Sequence, residues 1–183
     1  LNETRGSYAL RILLEAGLEG IHGYVAQLGE VSEINRYALE IAAGNRMGQI
    51  VVDNDNVASQ AIEILKKKKA GRLTFLPLNR IKSKKDNLSI SRFVGSNEDG
   101  FIDKAINLIN FDNIYFDVFK YVFGDTLVFK NLEFAKLSKQ NNRAVTLTGE
   151  LLEVSGAITG GSKLNRDLAY RFGTNKDLDE SNP

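Results

Sequence analysis

The chain has no cysteine, no tryptophan and a single histidine among its 183 residues. Without cysteine there can be no disulfide and no thiolate metal site, and one histidine cannot build a histidine-based metal cluster. No apolar run approaches the length of a membrane span, and the first residues lack the pattern of a signal peptide. We therefore expect no metal site, no membrane contact and a cytoplasmic location, where disulfides are rare.

The motifs of nucleotide binding are also missing. No G-x-G-x-x-G occurs, so a dinucleotide site has no support. The stretch from Gly156 to Gly161 fits the first six places of the phosphate-binding pattern G-x-x-x-x-G-K-[ST], but Ser162 then precedes Lys163. Because the lysine must follow the last glycine directly to reach the phosphates, we expect no nucleotide and no other cofactor.

The remaining chemical candidates do not form a catalytic set. His22 lies between Gly20 and Gly23 and is interpreted as structural. Residues 53–56 begin like a calcium loop, but the ligand and glycine that should follow are absent, so a surface turn is predicted. Glu150 and Glu153 are close in sequence, yet nothing nearby raises the pKa of either carboxyl. An enzyme is therefore the least supported class of function.

The net charge of +1 conceals an uneven distribution of charge. Residues 63–92 hold ten basic side chains and two acids, a net +8, so the rest of the chain carries −7. The basic residues are Lys66, Lys67, Lys68, Lys69, Arg72, Arg80, Lys82, Lys84, Lys85 and Arg92. Lys66–Lys69 could be the solvated end of a helix, where the helix dipole favours cations. They could equally contact a nucleic-acid backbone, which selects for charge and not for sequence.

Hydrophobic spacing and helix-stop residues predict an order of helices and strands. Helices are predicted at 7–16, 33–43, 57–69, 101–109, 115–123 and 132–140. Strands are predicted at 25–28, 49–52, 72–76, 126–129 and 143–147, with a long loop at 79–100 that contains a short strand at 92–94. Leu164, Leu168 and Phe172 add a last helical stripe, which could pair with the first helix as stubs of a coiled coil.

The order helix, glycine, strand, helix, arginine-led strand occurs twice. Gly44 corresponds to Gly124 at an offset of 80 residues, and Arg72 corresponds to Arg143 at an offset of 71. The sequence therefore predicts two similar lobes on one chain.

The glycine-rich stretch at 149–162 follows the last predicted strand of the second lobe. Its glycines Gly156, Gly160 and Gly161 permit positive φ and close approach of another backbone. Three interpretations are open at this point: an anionic ligand, a second protein chain, or ordinary loop glycines. The order of Ser162 and Lys163 disfavours the ligand.

Residues 149–162, Gly-Glu-Leu-Leu-Glu-Val-Ser-Gly-Ala-Ile-Thr-Gly-Gly-Ser, closely resemble the end of the hinge domain of structural-maintenance-of-chromosomes (SMC) proteins. Residues 20–23, 38–44, 74–78 and 123–128 resemble the same family in the expected order. The likeness covers roughly residues 18–163 and is nearest to a bacterial, cyanobacterial-like branch.

The resemblance implies an α+β fold of two pseudo-repeated lobes with small mixed sheets packed by helices, flanked by short coiled-coil stubs. It implies an incoming coiled-coil arm at 1–17, lobe one at about 18–95, lobe two at about 96–163, and a returning arm and tail at 164–183. Two hinges are expected to form a ring-shaped homodimer in which lobe one of each chain meets lobe two of the other.

Within that dimer, the resemblance places Gly156, Gly160 and Gly161 at the contact between chains. Ser155 stands where many relatives have another glycine. DNA contact is implied at the junction with the arm, here Lys163 and Arg166, and the charge distribution separately nominates Lys66, Lys67, Lys68, Lys69, Lys82, Lys84 and Lys85.

For the parent protein, the resemblance implies chromosome condensation and segregation, association with the nucleoid, and ATP hydrolysis by separate head domains with kleisin-type accessory subunits. The alternative is a stand-alone nucleic-acid-binding module that uses the basic patch from Lys66 to Lys85. A monomer that binds DNA would favour the second interpretation, and a stable homodimer the first.

Overall fold

A computed structural model describes residues 5–83, 100–138, 141–162 and 170–174 of the chain. The helices are α1 (Arg5–Glu15), α2 (Val25–Leu28), α3 (Glu33–Ala43), α4 (Asp55–Lys68), α5 (Phe116–Phe123) and α6 (Leu132–Leu137). The strands are β1 (Ile21–Tyr24), β2 (Gly29–Val31), β3 (Ile50–Val52), β4 (Phe75–Pro77), β5 (Phe101–Lys104), β6 (Ile109–Phe111), β7 (Leu127–Phe129), β8 (Ala144–Thr146), β9 (Leu151–Leu152), β10 (Ile158–Thr159) and β11 (Gly173–Thr174). Short 3-10 turns occupy Gly44–Gly48, Ala105–Leu108 and Asn113–Tyr115.

The strands form one sheet in each lobe and one sheet between the lobes. Lobe one has the strand order β1-β3-β4, and lobe two has the order β5-β7-β8-β9-β10. In each lobe two parallel strands are joined by a helix, α4 between β3 and β4 and α6 between β7 and β8. The third sheet, β11-β2-β6, joins the lobes through antiparallel pairing of β2 with β6. The expected α+β architecture with small mixed sheets is confirmed.

The internal repeat is confirmed, but the correspondence of Arg72 with Arg143 is wrong. Because α4 is longer than α6, β4 and β8 correspond at an offset of 69, which matches Arg143 with Thr74. β1, α2, β2, α3 and Gly44 recur 80 residues later as β5, the turn Ala105–Leu108, β6, the segment 113–123 and Gly124. β1 and β5 are even bulged at the same place, between their first and third residues. After the two glycines the offset falls to 77, because the 3-10 turn Gly44–Gly48 is present in lobe one only.

The helix ends repeat in their backbone detail. Gly44 and Gly124 have φ/ψ of 54/−132° and 53/−130°, and each N–H donates to the last turn of the preceding helix. L side chains rarely adopt this conformation, so both lobes need glycine here. Asn54 and Asn131 then cap α4 and α6, each side-chain oxygen accepting a backbone N–H three residues on, at 3.0 and 3.1 Å.

A local two-fold axis relates the lobes at the central sheet. The facing pairs are Gly29 with Phe111, Glu30 with Asn110, and Val31 with Ile109. Each pair maps onto another, or onto itself, when 80 is added to the first number and subtracted from the second. The axis therefore passes between Glu30 and Asn110.

The main core lies along this axis and draws on both lobes. Phe119 is fully buried and stacks on Phe111, with ring centroids 4.6 Å apart. Gly29 is glycine because a Cβ there would lie 2.5 Å from the Ile109 side chain and 2.9 Å from the Phe119 ring. Leu39, which lies at the place equivalent to Phe119, is also fully buried. Each such burial stabilises the fold by about 1.5–3 kcal/mol.

The end of the described chain packs into the same core. Phe172 is buried beside Phe123, with ring centroids 6.1 Å apart, and its N–H donates to the carboxylate of buried Glu40 at 3.1 Å. β11 follows at once and lies parallel to β2. The predicted helical stripe is therefore wrong at Phe172, because the buried carboxylate and the edge of β2 hold this segment extended. Leu164 and Leu168 lie outside the described residues.

Two further predictions of secondary structure are wrong. Residues 25–28, expected as a strand, form the single turn α2. Residues 101–109, expected as a helix, form β5, a 3-10 turn and the start of β6. The apolar spacing of short segments fits both helix and strand, and pairing of β5 with β7 decides the outcome. The strand predicted at 92–94 lies outside the described residues.

The incoming segment packs on lobe one. Ala9 and Leu13 of α1 bury against Ala61 and Leu65 of α4. None of the helices in the described ranges has both the length and the apolar character needed to cross a bilayer.

Candidate dimer interface

Two tight hairpins at the end of lobe two carry the glycine-rich stretch. The Gly149 N–H donates to the Thr146 carbonyl at 3.0 Å, and the Gly156 N–H donates to the Glu153 carbonyl at 2.9 Å. The Glu153 N–H in turn donates to the Ala157 carbonyl at 2.9 Å, which closes the second hairpin. Each loop has three residues and ends in a glycine, with φ of +94° and +99°. Three-residue hairpins require a left-handed residue at this place, so Gly156 serves the turn of its own chain.

Gly160 and Gly161 have different surroundings. A Cβ on Gly160 would lie 3.1 Å from Cγ of Glu150, and one on Gly161 would meet nothing within 4 Å. Gly161 has a φ of +145°, which disfavours a side chain although the space is open. The structure brings Gly156, Gly160 and Gly161 onto one strip, residues 154–162, that is exposed throughout. Their place between two chains remains a prediction.

The same strip contains an open sheet edge. β10 is the outermost strand of lobe two, and none of the strands in the described ranges pairs with its outer edge. Ile158 in β10 is 56 % exposed and Val154 in the preceding turn is 55 % exposed. Unpaired backbone groups beside exposed apolar side chains form a template for pairing with another chain. Sequence reasoning identified the glycines but missed Ile158, for which the hairpin pattern Val-Ser-Gly was the available signal.

Lobe one has an open edge at the equivalent position. β4 corresponds to β8, but β8 carries β9 on its far side, whereas β4 meets no further strand in the part of the chain that the structure describes. β4 ends at Pro77, which has no N–H to donate and is compatible with an edge strand.

Electrostatics at the first hairpin favour an ionised carboxylate. The Glu150 carboxylate accepts hydrogen bonds from the hydroxyls of Thr146 and Thr148, the latter at 2.5 Å. The Thr146 hydrogen bond, followed by that of Thr148, lowers the pKa of Glu150 below its usual 4.5. Glu150 is thus held in place beside Gly160 as an anion.

The basic residues predicted to contact DNA are only partly described. Lys66–Lys69 are exposed at the C-terminal end of α4, where Lys69 takes a left-handed conformation with φ of +50°. Lys82 is also exposed. Lys84, Lys85, Lys163 and Arg166 lie outside the described residues.

His22 joins the two lobes by hydrogen bonds. Its Nε2 lies 2.5 Å from a carboxylate oxygen of Asp53 in lobe one, and its Nδ1 lies 2.7 Å from the hydroxyl of Tyr115 in lobe two. The pKa of Tyr115 is raised, chiefly by burial and further by Asp112 and Asp53. Within the described ranges, no group of three or more acidic or histidine side chains could hold a metal ion.

The fold and its open edges can be compared with known proteins. A sequence model described as SMC proteins Flexible Hinge Domain matches residues 18–137. The chain belongs to the SMC hinge family. Within that family, it is 51 % identical over 174 residues to the chromosome partition protein Smc of a Synechococcus species. The alignment covers 95 % of the chain and 14 % of the relative, so this hinge spans about one seventh of that protein.

Solved SMC hinges have the same fold. The structure is similar to an asymmetric dimer of the Geobacillus stearothermophilus SMC hinge domain, with a TM-score of 0.77 and 33 % identity, covering 90 % of this chain and 68 % of that one. It is also similar to the SMC hinge domain of Pyrococcus furiosus, with a TM-score of 0.68 and 35 % identity, covering 88 % of this chain and 91 % of that one. The family, the cyanobacterial likeness and the two-lobed fold expected from sequence are therefore confirmed.

Proposed function

We propose that this SMC hinge is a homodimerisation module that joins the coiled-coil arms of a chromosome partition protein. The observation that carries the proposal is the pair of open sheet edges, β10 in lobe two and β4 in lobe one. The solved Geobacillus relative is a dimer. On this proposal, β10 of each chain adds to β4 of the other, so five strands of one chain and three of the second form a continuous sheet.

Two such contacts in one dimer make a ring. Because β10 and β4 are different surfaces, each chain offers one of each to its partner, and a two-fold axis repeats the contact. The arms would enter through residues 1–17 and leave after the returning segment, with lobe one at about 18–95 and lobe two at about 96–163. ATP hydrolysis, kleisin-type subunits and association with the nucleoid belong, on this proposal, to the longer parent protein.

The first test is the solution mass of the wild type and of a Gly160→Ala/Gly161→Ala double variant, by light scattering. We expect a wild-type mass near twice 20.3 kDa, and a shift towards the monomer in the variant. Gly71→Ala is the control for the Gly161 change, because Gly71 also has positive φ, +99°, and open space, but lies beyond α4 in lobe one. A loss of dimer in the control as well would indicate backbone strain and not an interface effect.

A side-chain variant tests the edge without changing backbone freedom. Ile158→Asp places a charge on the exposed face of β10, and we expect it to break the dimer while thermal stability is largely kept. Ile62→Asp is the control, since Ile62 is also exposed, at 41 %, but lies on α4. A wild type that is monomeric at micromolar concentration would overturn the proposal.

A second proposed activity is DNA contact through Lys66–Lys69 and Lys82. All five are exposed, and four of them end one helix. Phosphate contacts would make binding salt-dependent and nearly independent of sequence. Replacing Lys66–Lys69 by Gln should reduce the slope of log affinity against log salt by roughly 0.9 for each lost contact.

Lys130→Gln/Lys136→Gln is the control for this test, because both lysines are exposed in lobe two. A loss about half as large in the control, which removes two charges where the test removes four, would mean that net charge alone matters. DNA binding by a monomeric wild type would instead favour the alternative, a stand-alone nucleic-acid-binding module.

A further inference from the structure

Two arginines cross between the lobes at the ends of α3 and α5. Arg46 of lobe one donates to the Tyr121 carbonyl in α5 at 2.5 Å, and Arg143 of lobe two donates to the Ala42 carbonyl in α3 at 2.6 Å. The last carbonyls of a helix have no partner within the helix and carry the negative end of its dipole. Each lobe therefore caps the helix of the other with a cation.

The two arginines differ in their second contact. The Arg46 guanidinium lies over the Tyr121 ring, 4.3 Å from its centroid, so its ring contact and its hydrogen bond are both to one residue. The Arg143 Nε instead faces the Glu153 carboxylate at 3.3 Å. Glu153 opens the hairpin turn that leads to β10. Arg143 thus links α3 of lobe one to the hairpin of lobe two.

This link spans a cleft. A cavity of about 750 Å³ lies between the ends of α3 and α5 and the hairpin, and Gly44, Gly124, Arg143 and Glu153 are among its lining residues. Beyond the cleft, residues 154–162 are exposed, and β9 and β10 have two residues each. Leu151 and Leu152 of β9 pack against buried clusters, but no side chain of residues 154–162 is buried, so apolar packing fixes the base of the hairpin and not its far end. The Arg143–Glu153 ion pair holds the residue at which the turn begins.

We propose that Arg143 is a positioning residue that sets the orientation of the β9–β10 hairpin relative to lobe one. The proposal rests on the dimerisation function above. A ring of two chains closes only if β10 and β4 of one chain stand at the right angle to meet both edges of the second chain together. A small error in that angle weakens both contacts at once. Arg46 holds the lobes together in the same way but does not reach the hairpin.

The test compares Arg143→Gln with Arg46→Gln, which removes the equivalent link between lobes. We expect both variants to lower the melting temperature. The dimer dissociation constant, from sedimentation, should rise at least about tenfold for Arg143→Gln and stay within about twofold for Arg46→Gln.

Further variants test the ion pair itself. Glu153→Gln should give a smaller rise in the dissociation constant, and the double variant Arg143→Gln/Glu153→Gln should add little to Arg143→Gln alone. Arg143→Lys should recover only part of the affinity, because one ammonium cannot reproduce the forked donors.

Hydrogen exchange separates this inference from the proposed function. In Arg143→Gln, but not in Arg46→Gln, the amides of residues 151–159 should exchange faster. If the wild type is a dimer and both arginine variants weaken it equally, or neither does, the positioning role is wrong while dimerisation stands. If the wild type is a monomer, dimerisation is wrong and with it the interface role, and unchanged exchange in Arg143→Gln would exclude fixation of the hairpin as well.

Discussion

The two lobes share one frame and differ at one edge. Both have an antiparallel strand with a bulge, a parallel pair joined by a helix, a glycine of the same φ and ψ, and an asparagine cap. Lobe two then continues for two more strands beyond β8, whereas β4 is the last strand of lobe one among the described residues. A duplicated frame with one extended edge gives a single chain two unlike surfaces, which is the requirement for head-to-tail contacts between copies.

The largest expected difference between the lobes lies in the core. Phe119→Ala should lower the free energy of unfolding by about 3–5 kcal/mol, and Leu39→Ala, at the equivalent place, by about 2–5 kcal/mol. The loss of unfolding free energy should be larger for Phe119→Ala, since the Phe119 ring also fills the space above Gly29 and stacks on Phe111. Chemical denaturation of both variants measures the difference, and a larger loss for Leu39→Ala would contradict it.

The helix caps should show a smaller effect. Asn54→Ala and Asn131→Ala should each destabilise the protein by about 1 kcal/mol. The loss at Asn131 should be no smaller than that at Asn54, because α4 keeps further contacts at its start, where Asp55 binds Asn79 and Arg80. Denaturation midpoints compare the two, with Asn54→Asp and Asn131→Asp as cap-conserving controls.

Substitution by glycine at the ends of α4 and α6 should change the stability of the protein in opposite directions. α4 ends at Lys69 with φ of +50°, whereas α6 ends at Ser138 in an extended conformation. Lys69→Gly should therefore stabilise the protein by about 0.5–1 kcal/mol, because glycine adopts positive φ without strain. Ser138→Gly should destabilise it, since there glycine only adds freedom to the unfolded chain. Melting temperatures of the two variants test this prediction. Stabilisation of both would contradict the argument that the backbone conformation at each helix end decides the effect of glycine.

The smallest effect concerns pH and belongs to lobe two. The lowered pKa of Glu150 means that its hydrogen bonds stabilise the fold above the ordinary pKa of 4.5 and lose this effect as pH falls below it. The unfolding free energy of the wild type should decrease between about pH 5 and pH 3, and Glu150→Gln should make that decrease smaller. The difference should be less than about 1 kcal/mol, because the group is partly exposed. An unchanged or steeper fall would show that the carboxylate does not act in this way.

Predictions from sequence were correct where the residue types themselves favour one local backbone conformation. Gly44 and Gly124 marked the ends of their helices, and the β-branched run at 49–52 and the apolar run at 126–129 marked the central strands, because these signals need no distant partner. Such predictions failed at 101–109, where short apolar segments fit either state. The offset of 80 could not correct this by itself, because residues 25–28, which correspond to 105–108, were themselves wrongly predicted as a strand.

By itself, the sequence determined the family, the two lobes and the exposed glycine strip. Only the tertiary structure decided that Phe172 returns to the core beside Glu40 and that Arg143 reaches across to Ala42. These contacts join residues 132 and 101 positions apart. They depend on which surfaces the folded lobes bring together, and local patterns along the chain carry no record of that.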